Sequence, residues 1–206
     1  MMSAEQIGGA TMIFRLGMTM LVVCAASLYF PLNRKLTGGY NLSTRLDAWI
    51  PLSPVWVVPY LLCLPAWLGS LIWAAWKMDE RLYHSFIYAC LFVLLTATLF
   101  YYLFPTYVKR PTLTKGNWTM QILQMVYQND GDYNAFPSGH VYQTALICLF
   151  YNHLYPNYLW LWIGIVVIVT LSTLFTRQHN LADPLGGLAI AWFGYRLGMY
   201  LFLLKA

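Results

Sequence analysis

The chain is poor in charge. Of its 206 residues only 12 are Lys or Arg and 7 are Asp or Glu, 9% together, where a soluble domain carries about 25%. The hydrophobic share is 60%, above the usual 45–50% or so. So few charges cannot face such an apolar chain with water, which excludes a soluble fold. The alternation of polar and apolar residues that membrane β-strands need is also missing. Although the net charge is +5, no dense basic patch interleaves with aromatics, so nucleic acid is not an expected partner. The four cysteines, Cys24, Cys63, Cys90 and Cys148, lie in apolar runs without close pairing. They read as small buried hydrophobes, not as a zinc site or a disulfide frame. No repeat, low-complexity tract or long linker divides the chain, and a single domain over 1–206 is expected. The first apolar run has no basic lead-in or small-residue cleavage site, so a retained helix is expected there.

Long apolar runs are present. They fall at 12–30, 54–76, 84–104, 139–155, 158–176 and 182–203, each near the length a spanning helix needs. Six helices of about 20 residues would take roughly 58% of the chain, close to the apolar fraction. The expectation is an all-α integral membrane bundle of six transmembrane helices. Gly187, Ala191, Gly194 and Gly198 give the last run a small-residue face for close packing. The stretch at 31–53, with Arg34, Lys35, Arg45, Asp47 and Trp49, suits an amphipathic interfacial segment. The polar stretch at 105–138 is a long loop of the kind that tends to be functional.

If all six runs cross, the third ends, the fourth begins and the fifth ends on the same side of the bilayer. The residues at those points are Lys109-Arg110-Pro111, Phe136-Pro137-Ser138-Gly139-His140 and Thr176-Arg177-Gln178-His179. The site is therefore expected at one membrane face. Basic residues divide nearly evenly between the two sides, so the orientation rule assigns neither to the cytoplasm.

The residues that converge suit phosphate chemistry. Arginines such as Arg110 and Arg177 hold phosphate oxygens in bidentate fashion. Ser138 and Gly139 open the fourth helix, where free N–H groups and the helix dipole favour an anion. His140 and His179 could divide covalent and acid–base roles, one attacking phosphorus and the other protonating the leaving oxygen. Asp183, four residues after His179, would hold the far ring nitrogen if the segment is helical, although Pro184 disfavours α geometry at Asp183. Other polar residues carry less. His84 and His153 read as structural, Lys115 as solvated, and Asp130 and Asp132 as loop polars. Arg15 and Arg196 must be paired or snorkelled.

Together the three segments resemble the signature of the type 2 phosphatidic acid phosphatase superfamily, which includes vanadium haloperoxidases. The matching residues are Arg110-Pro111, then Pro137-Ser138-Gly139-His140, then His179 and Asp183, within a resemblance over roughly residues 85–200. The resemblance implies His179 as nucleophile, Asp183 as its orienter and His140 as general acid. It implies a phosphate held by Arg110, Lys109, Ser138, Gly139 and Arg177, with no metal and no cofactor. The usual first-motif lysine would fall at Leu103, so Lys109 would have to substitute. The usual third-motif arginine would fall at Thr173, whereas here Arg177 lies two residues before His179. That compact spacing is similar to the branch containing sphingomyelin and inositol phosphorylceramide synthases. The implied partners are a membrane lipid phosphate and the bilayer. The implied location is a plasma (inner) membrane with the site facing away from the cytoplasm. Three functions compete on this reading: a lipid phosphatase, a lipid phosphotransferase, and a non-catalytic transporter or scaffold. The transporter is disfavoured, because no charges recur along successive helix turns to mark a path across the bilayer; the first two share the same cradle and nucleophile, and the absence of extra domains favours the phosphatase between them.

Overall fold

The computed structural model describes residues 4–35 and 38–204, with side chains over 11–33 and 38–204. Arg34, Lys35 and Lys205 therefore lie outside the described side chains. The α-helices are α1 Ala4–Ser27, α2 Tyr29–Lys35, α3 Val57–Lys77, α4 Glu80–Leu103, α5 Trp118–Asn129, α6 Gly139–Leu154, α7 Leu159–Phe175 and α8 Ala182–Leu204. Among the described residues there is no strand beyond isolated bridges joining Tyr40 to Thr106 and Tyr107 to Tyr133.

Helix boundaries follow local chemistry. Asp79 caps α4 by accepting the Leu82 N–H at 3.0 Å, and Asn117 caps α5 by accepting the Met120 N–H at 3.1 Å. Both satisfy donors that a helix start leaves unpaired. The Arg15 guanidinium donates to the carbonyls of Ala75 (3.1 Å) and Met78 (2.8 Å). A cation thus sits on the C-terminal carbonyls of α3, where the helix dipole favours it. Arg196 lies 5.6 Å from the centroid of the Trp192 ring.

Five helical stretches are long and apolar enough to cross a bilayer: Thr11–Asn33, Pro54–Lys77, Glu80–Leu103, Pro156–Phe175 and Ala182–Leu204. The chain fits a multi-pass integral membrane protein. The expected sixth crossing is shorter than the others. The α6 helix has 16 residues, about 24 Å at 1.5 Å per residue, below the ~30 Å hydrocarbon core. A second departure lies in the expected long loop at 105–138, which contains α5. It is short and only half apolar, so its run falls well below what marks a spanning segment.

The α4 helix is central, with Tyr83, Phe86, Ile87, Val93, Ala97 and Tyr101 all buried. The α8 helix lies against both α4 and α6 through its small-residue face, whose members Gly187, Ala191, Gly194 and Gly198 are all buried. A Cβ at Gly194 would stand 2.5 Å from Val93 Cγ1. Glycine at this position permits the close approach of α8 to α4.

Candidate active site

The site forms where α7 ends and α6 and α8 begin. The end of α7 is a Schellman motif: Gln178 N–H donates to Thr173 C=O at 3.1 Å and Arg177 N–H to Leu174 C=O at 3.0 Å. In such a motif the residue after the cap adopts the left-handed conformation, usually as glycine. Here it is Arg177, at φ 55°. A non-glycine residue there costs about 1–2 kcal/mol. Arg177 Nη1 donates to the backbone carbonyl of Asp47 at 2.6 Å.

Asp47 holds the same turn a second time. It is buried, and its Oδ1 accepts the Leu181 N–H at 2.7 Å. Its Oδ2 accepts from Thr44 N–H at 2.6 Å and Thr44 Oγ1–H at 2.7 Å. Burial would raise the Asp47 pKa, but these bonds and the Arg177 charge outweigh it and hold the carboxyl below the ordinary aspartate value. The 31–53 stretch thus turns Asp47 inward while Trp49 stays exposed; it was expected only to lie in the interface.

The turn delivers His179 to Asp183. The ring Nδ1 stands 3.3 Å from Asp183 Oδ2, which also accepts the Asn180 N–H at 2.8 Å. Both residues are buried. The contact has the expected i,i+4 spacing, but no helix carries it: α8 begins only at Ala182. Pro184 then falls in the first turn of α8, where its missing N–H costs nothing. With Nδ1 engaged, Nε2 is the nitrogen left for chemistry.

The second segment meets the third directly. Ser138 N–H donates to the Asp183 carbonyl at 2.9 Å, and Tyr101 Oη donates to the Pro137 carbonyl at 2.7 Å. A Cβ at Gly187 would lie 2.9 Å from the Ser138 carbonyl, so glycine keeps α8 this close. Ser138 is fully buried and caps α6 without a side-chain bond to the helix. Gly139 faces the hydroxyls of Tyr101 and Tyr142. His140, in the first turn of α6, stacks on the Tyr60 ring at 3.9 Å between centroids, with Trp67 tilted against it at 5.2 Å. His179 bears on it electrostatically.

Arg110 approaches from the first segment. Its Nη1 donates to the Asp130 carbonyl at 2.7 Å and its Nη2 to the Gly131 carbonyl at 2.5 Å. The guanidinium lies 4.9 Å from the Tyr127 ring centroid. Tyr127 in turn donates its hydroxyl to the Thr176 carbonyl at 2.7 Å. Burial pushes the Tyr127 phenol up to about 12, against the pull of both Arg110 and Arg177. The two arginines therefore flank one tyrosine at the edge of the turn. Lys109 is exposed. Asp130, expected to be a loop polar, instead binds Tyr29 and Asn33.

Unsatisfied polar atoms concentrate here. Among the described residues, eleven buried side-chain nitrogens and oxygens have no hydrogen-bond partner. Seven belong to this region: Arg110 Nε, Ser138 Oγ, His140 Nε2, Gln178 Nε2 and Oε1, Asn180 Nδ2 and Asp183 Oδ1. Buried polar groups are ordinarily paired, so this concentration singles the region out as the candidate site. Gln178, Asn180, Asp47 and Tyr60 were not foreseen from sequence. The first two flank His179 and could have been suspected from that alone.

No curated protein and no solved structure gives a significant match to the chain. The family model for the PAP2 superfamily matches residues 42–197, most of the sequence and more than the three motifs span, taking in Asp47 and Tyr60. With the motif residues gathered in one place, the match establishes that this chain belongs to the PAP2 superfamily.

Proposed function

We propose that this protein is a six-pass membrane phosphatase. It would hydrolyse a lipid phosphate or polyprenyl (di)phosphate through a phosphohistidine and release inorganic phosphate. The observation that carries this reading is the His179–Asp183 contact at 3.3 Å, buried beside the start of α6. Membership in the PAP2 superfamily points to phosphatase or phosphotransferase chemistry.

In the first half-reaction, neutral His179 attacks phosphorus through Nε2, forming a P–N bond as the P–O bond to the lipid breaks. His140, as imidazolium, gives its proton to the departing oxygen, and the lipid leaves as an alcohol, or as its monophosphate when the substrate is a diphosphate. Asp183 fixes the tautomer of His179 and stabilises the positive charge that develops on it. In the second half-reaction, water attacks phosphorus, neutral His140 takes its proton, and the P–N bond breaks. Phosphate leaves, His179 is neutral again and His140 is again protonated. Arg110, Arg177, Ser138 and the N–H groups at the start of α6 would stabilise the equatorial oxygens, with Gly139 allowing close approach. Lys109 would add charge at the rim.

One feature supports a lipid substrate. A cavity of about 310 Å³ between α3, α6 and α7 is lined by Cys63, Trp67, Thr144, Ile147, Ile165 and Val169. Trp67 also touches His140, so a hydrocarbon chain in this cavity would lead to the acid. The sixth passage would be α6 itself. The α6–α7 hairpin returns the chain to the level at which it began, because Ser138 at the start of α6 is bonded to Asp183 at the start of α8. The site would face away from the cytoplasm at the plasma (inner) membrane, as the family resemblance implies. The compact spacing of Arg177 and His179 favours one other reading, in which an alcohol or a lipid replaces water as the acceptor.

The test uses purified protein in detergent and EDTA with a panel of lipid phosphates and diphosphates. Wild type should release phosphate and His179→Ala should not, with its fold intact. No release from any substrate, but transfer once an acceptor alcohol is added, would replace hydrolysis with the second reading.

A further inference from the structure

We infer that Tyr60, outside all three motifs, is a positioning residue for His140: its ring holds the imidazole by the face and favours the imidazolium, while Asp130 anchors its phenol. The inference rests on the reading of His140 as general acid.

His179 is oriented by hydrogen bonds, but His140 is held differently. Its Nε2 is buried without a hydrogen-bond partner. What fixes the ring is aromatic surface, with Tyr60 nearly parallel (22°) at 3.9 Å and Trp67 inclined at 59°. An acid that must lose and regain its proton in each turnover gains from this arrangement. A strong hydrogen bond would favour one protonation state, whereas a ring face leaves the reacting nitrogen open. The negative face of a tyrosine attracts a cation, so stacking also offsets part of the cost of charging a buried imidazole beside His179.

The Tyr60 ring is itself buried and tied down. Its hydroxyl stands 3.5 Å from Asp130 Oδ2, at the limit of hydrogen bonding. Asp130 Oδ1 accepts from Tyr29 Oη at 2.9 Å and from Asn33 Nδ2. Arg110 Nη2 lies 3.8 Å from Asp130 Oδ2. One carboxylate thus joins α2, α3 and the first-motif arginine. It sets the ring under His140 and the guanidinium at the phosphate edge relative to each other. The groups bearing on His140 are then His179 after α7, and Tyr60 and Trp67 of α3.

The experiment compares the rate of the phosphorylation step, read as the pre-steady-state release of the leaving group, on two substrates: a lipid alkyl phosphate, whose leaving oxygen needs a proton, and an aryl phosphate, whose leaving group does not. Tyr60→Phe keeps the face and should stay within about threefold of wild type on both. Tyr60→Leu removes the face and should lose about tenfold or more on the alkyl phosphate while staying near wild type on the aryl phosphate. Tyr60→Met carries the same expectation if the leucine variant does not fold. Equal loss on both substrates would reduce Tyr60 to a packing residue and overturn the inference. Loss in Tyr60→Phe matching that in Tyr60→Leu would overturn the role of the ring face. His140→Ala separates the two levels. If it shows leaving-group dependence and Tyr60→Leu does not, this inference alone fails; if His140→Ala shows none, the general-acid reading fails and this inference with it.

Discussion

The two histidines of the candidate site are held by opposite means. His179 sits in a turn where nearly every backbone group is bonded: Gln178 and His179 N–H to Thr173, Asn180 N–H to Asp183, and Leu181 N–H to Asp47. His140 stands at the open end of a helix between two aromatic rings. The difference fits the tasks proposed for them. A nucleophile needs one tautomer and one direction of attack, which hydrogen bonds supply. A group that gives up and recovers a proton is served by surroundings that fix its plane and leave its nitrogen free.

The largest expected effect breaks the comparison directly. Asp183→Asn keeps the acceptor for Asn180 N–H but removes the charge that holds the His179 tautomer. It should cost about 10³–10⁴ in kcat, equally on alkyl and aryl phosphates. His140→Ala should cost about 10²–10⁴ on alkyl phosphates and far less in the phosphorylation step with an aryl phosphate. If the two variants respond alike to the leaving group, the division of labour is wrong.

A smaller effect separates the backbone of the nucleophile turn from its side chain. Arg177→Gly relieves the left-handed strain at φ 55° but loses the bond to the Asp47 carbonyl; the two offset, so it should move the thermal midpoint by no more than a few degrees. It should also weaken phosphate binding, seen as an increase of about tenfold or more in the Ki of inorganic phosphate. A destabilised Arg177→Gly with unchanged Ki would make the arginine a structural strut.

The smallest effect concerns pH. The Asp47 carboxyl is depressed in the folded protein. Its stabilisation is therefore present above the unfolded aspartate value of about 3.9 and is lost as pH falls through the folded value. Asp47→Asn should lower the thermal midpoint by a few degrees at neutral pH, and the difference should shrink on acidification below about pH 4. A difference that persists undiminished in acid would remove the carboxylate from this account.

Much of this arrangement was legible in the sequence, for identifiable reasons. The apolar runs marked α3, α4, α7 and α8 because a bilayer demands length and continuity from each crossing. The second and third motifs were legible because few histidines exist to compete for their roles. What escaped depends on distance along the chain. Asp47 reaches Leu181 across 134 residues and Tyr29 reaches Asp130 across 101, and no local spacing encodes either. Tyr60 was hidden among the aromatics of an apolar run, where interfacial belts account for most tyrosines. The α5 helix carries a cap at Asn117 but is too short and too polar to stand out. The α6 run read as a full crossing because 139–155 carries an unbroken apolar stretch from Ala145 to Tyr151, yet its helix has 16 residues.

The most direct test of the central claim is to trap the intermediate. Protein incubated with a radiolabelled aryl phosphate is quenched in alkali, where phosphohistidine survives, and the label is mapped by peptide. The account predicts label on His179, none in His179→Ala, and more than in wild type in His140→Ala, where the base for the second step is missing. Turnover without label on His179, or label on another residue, would contradict it.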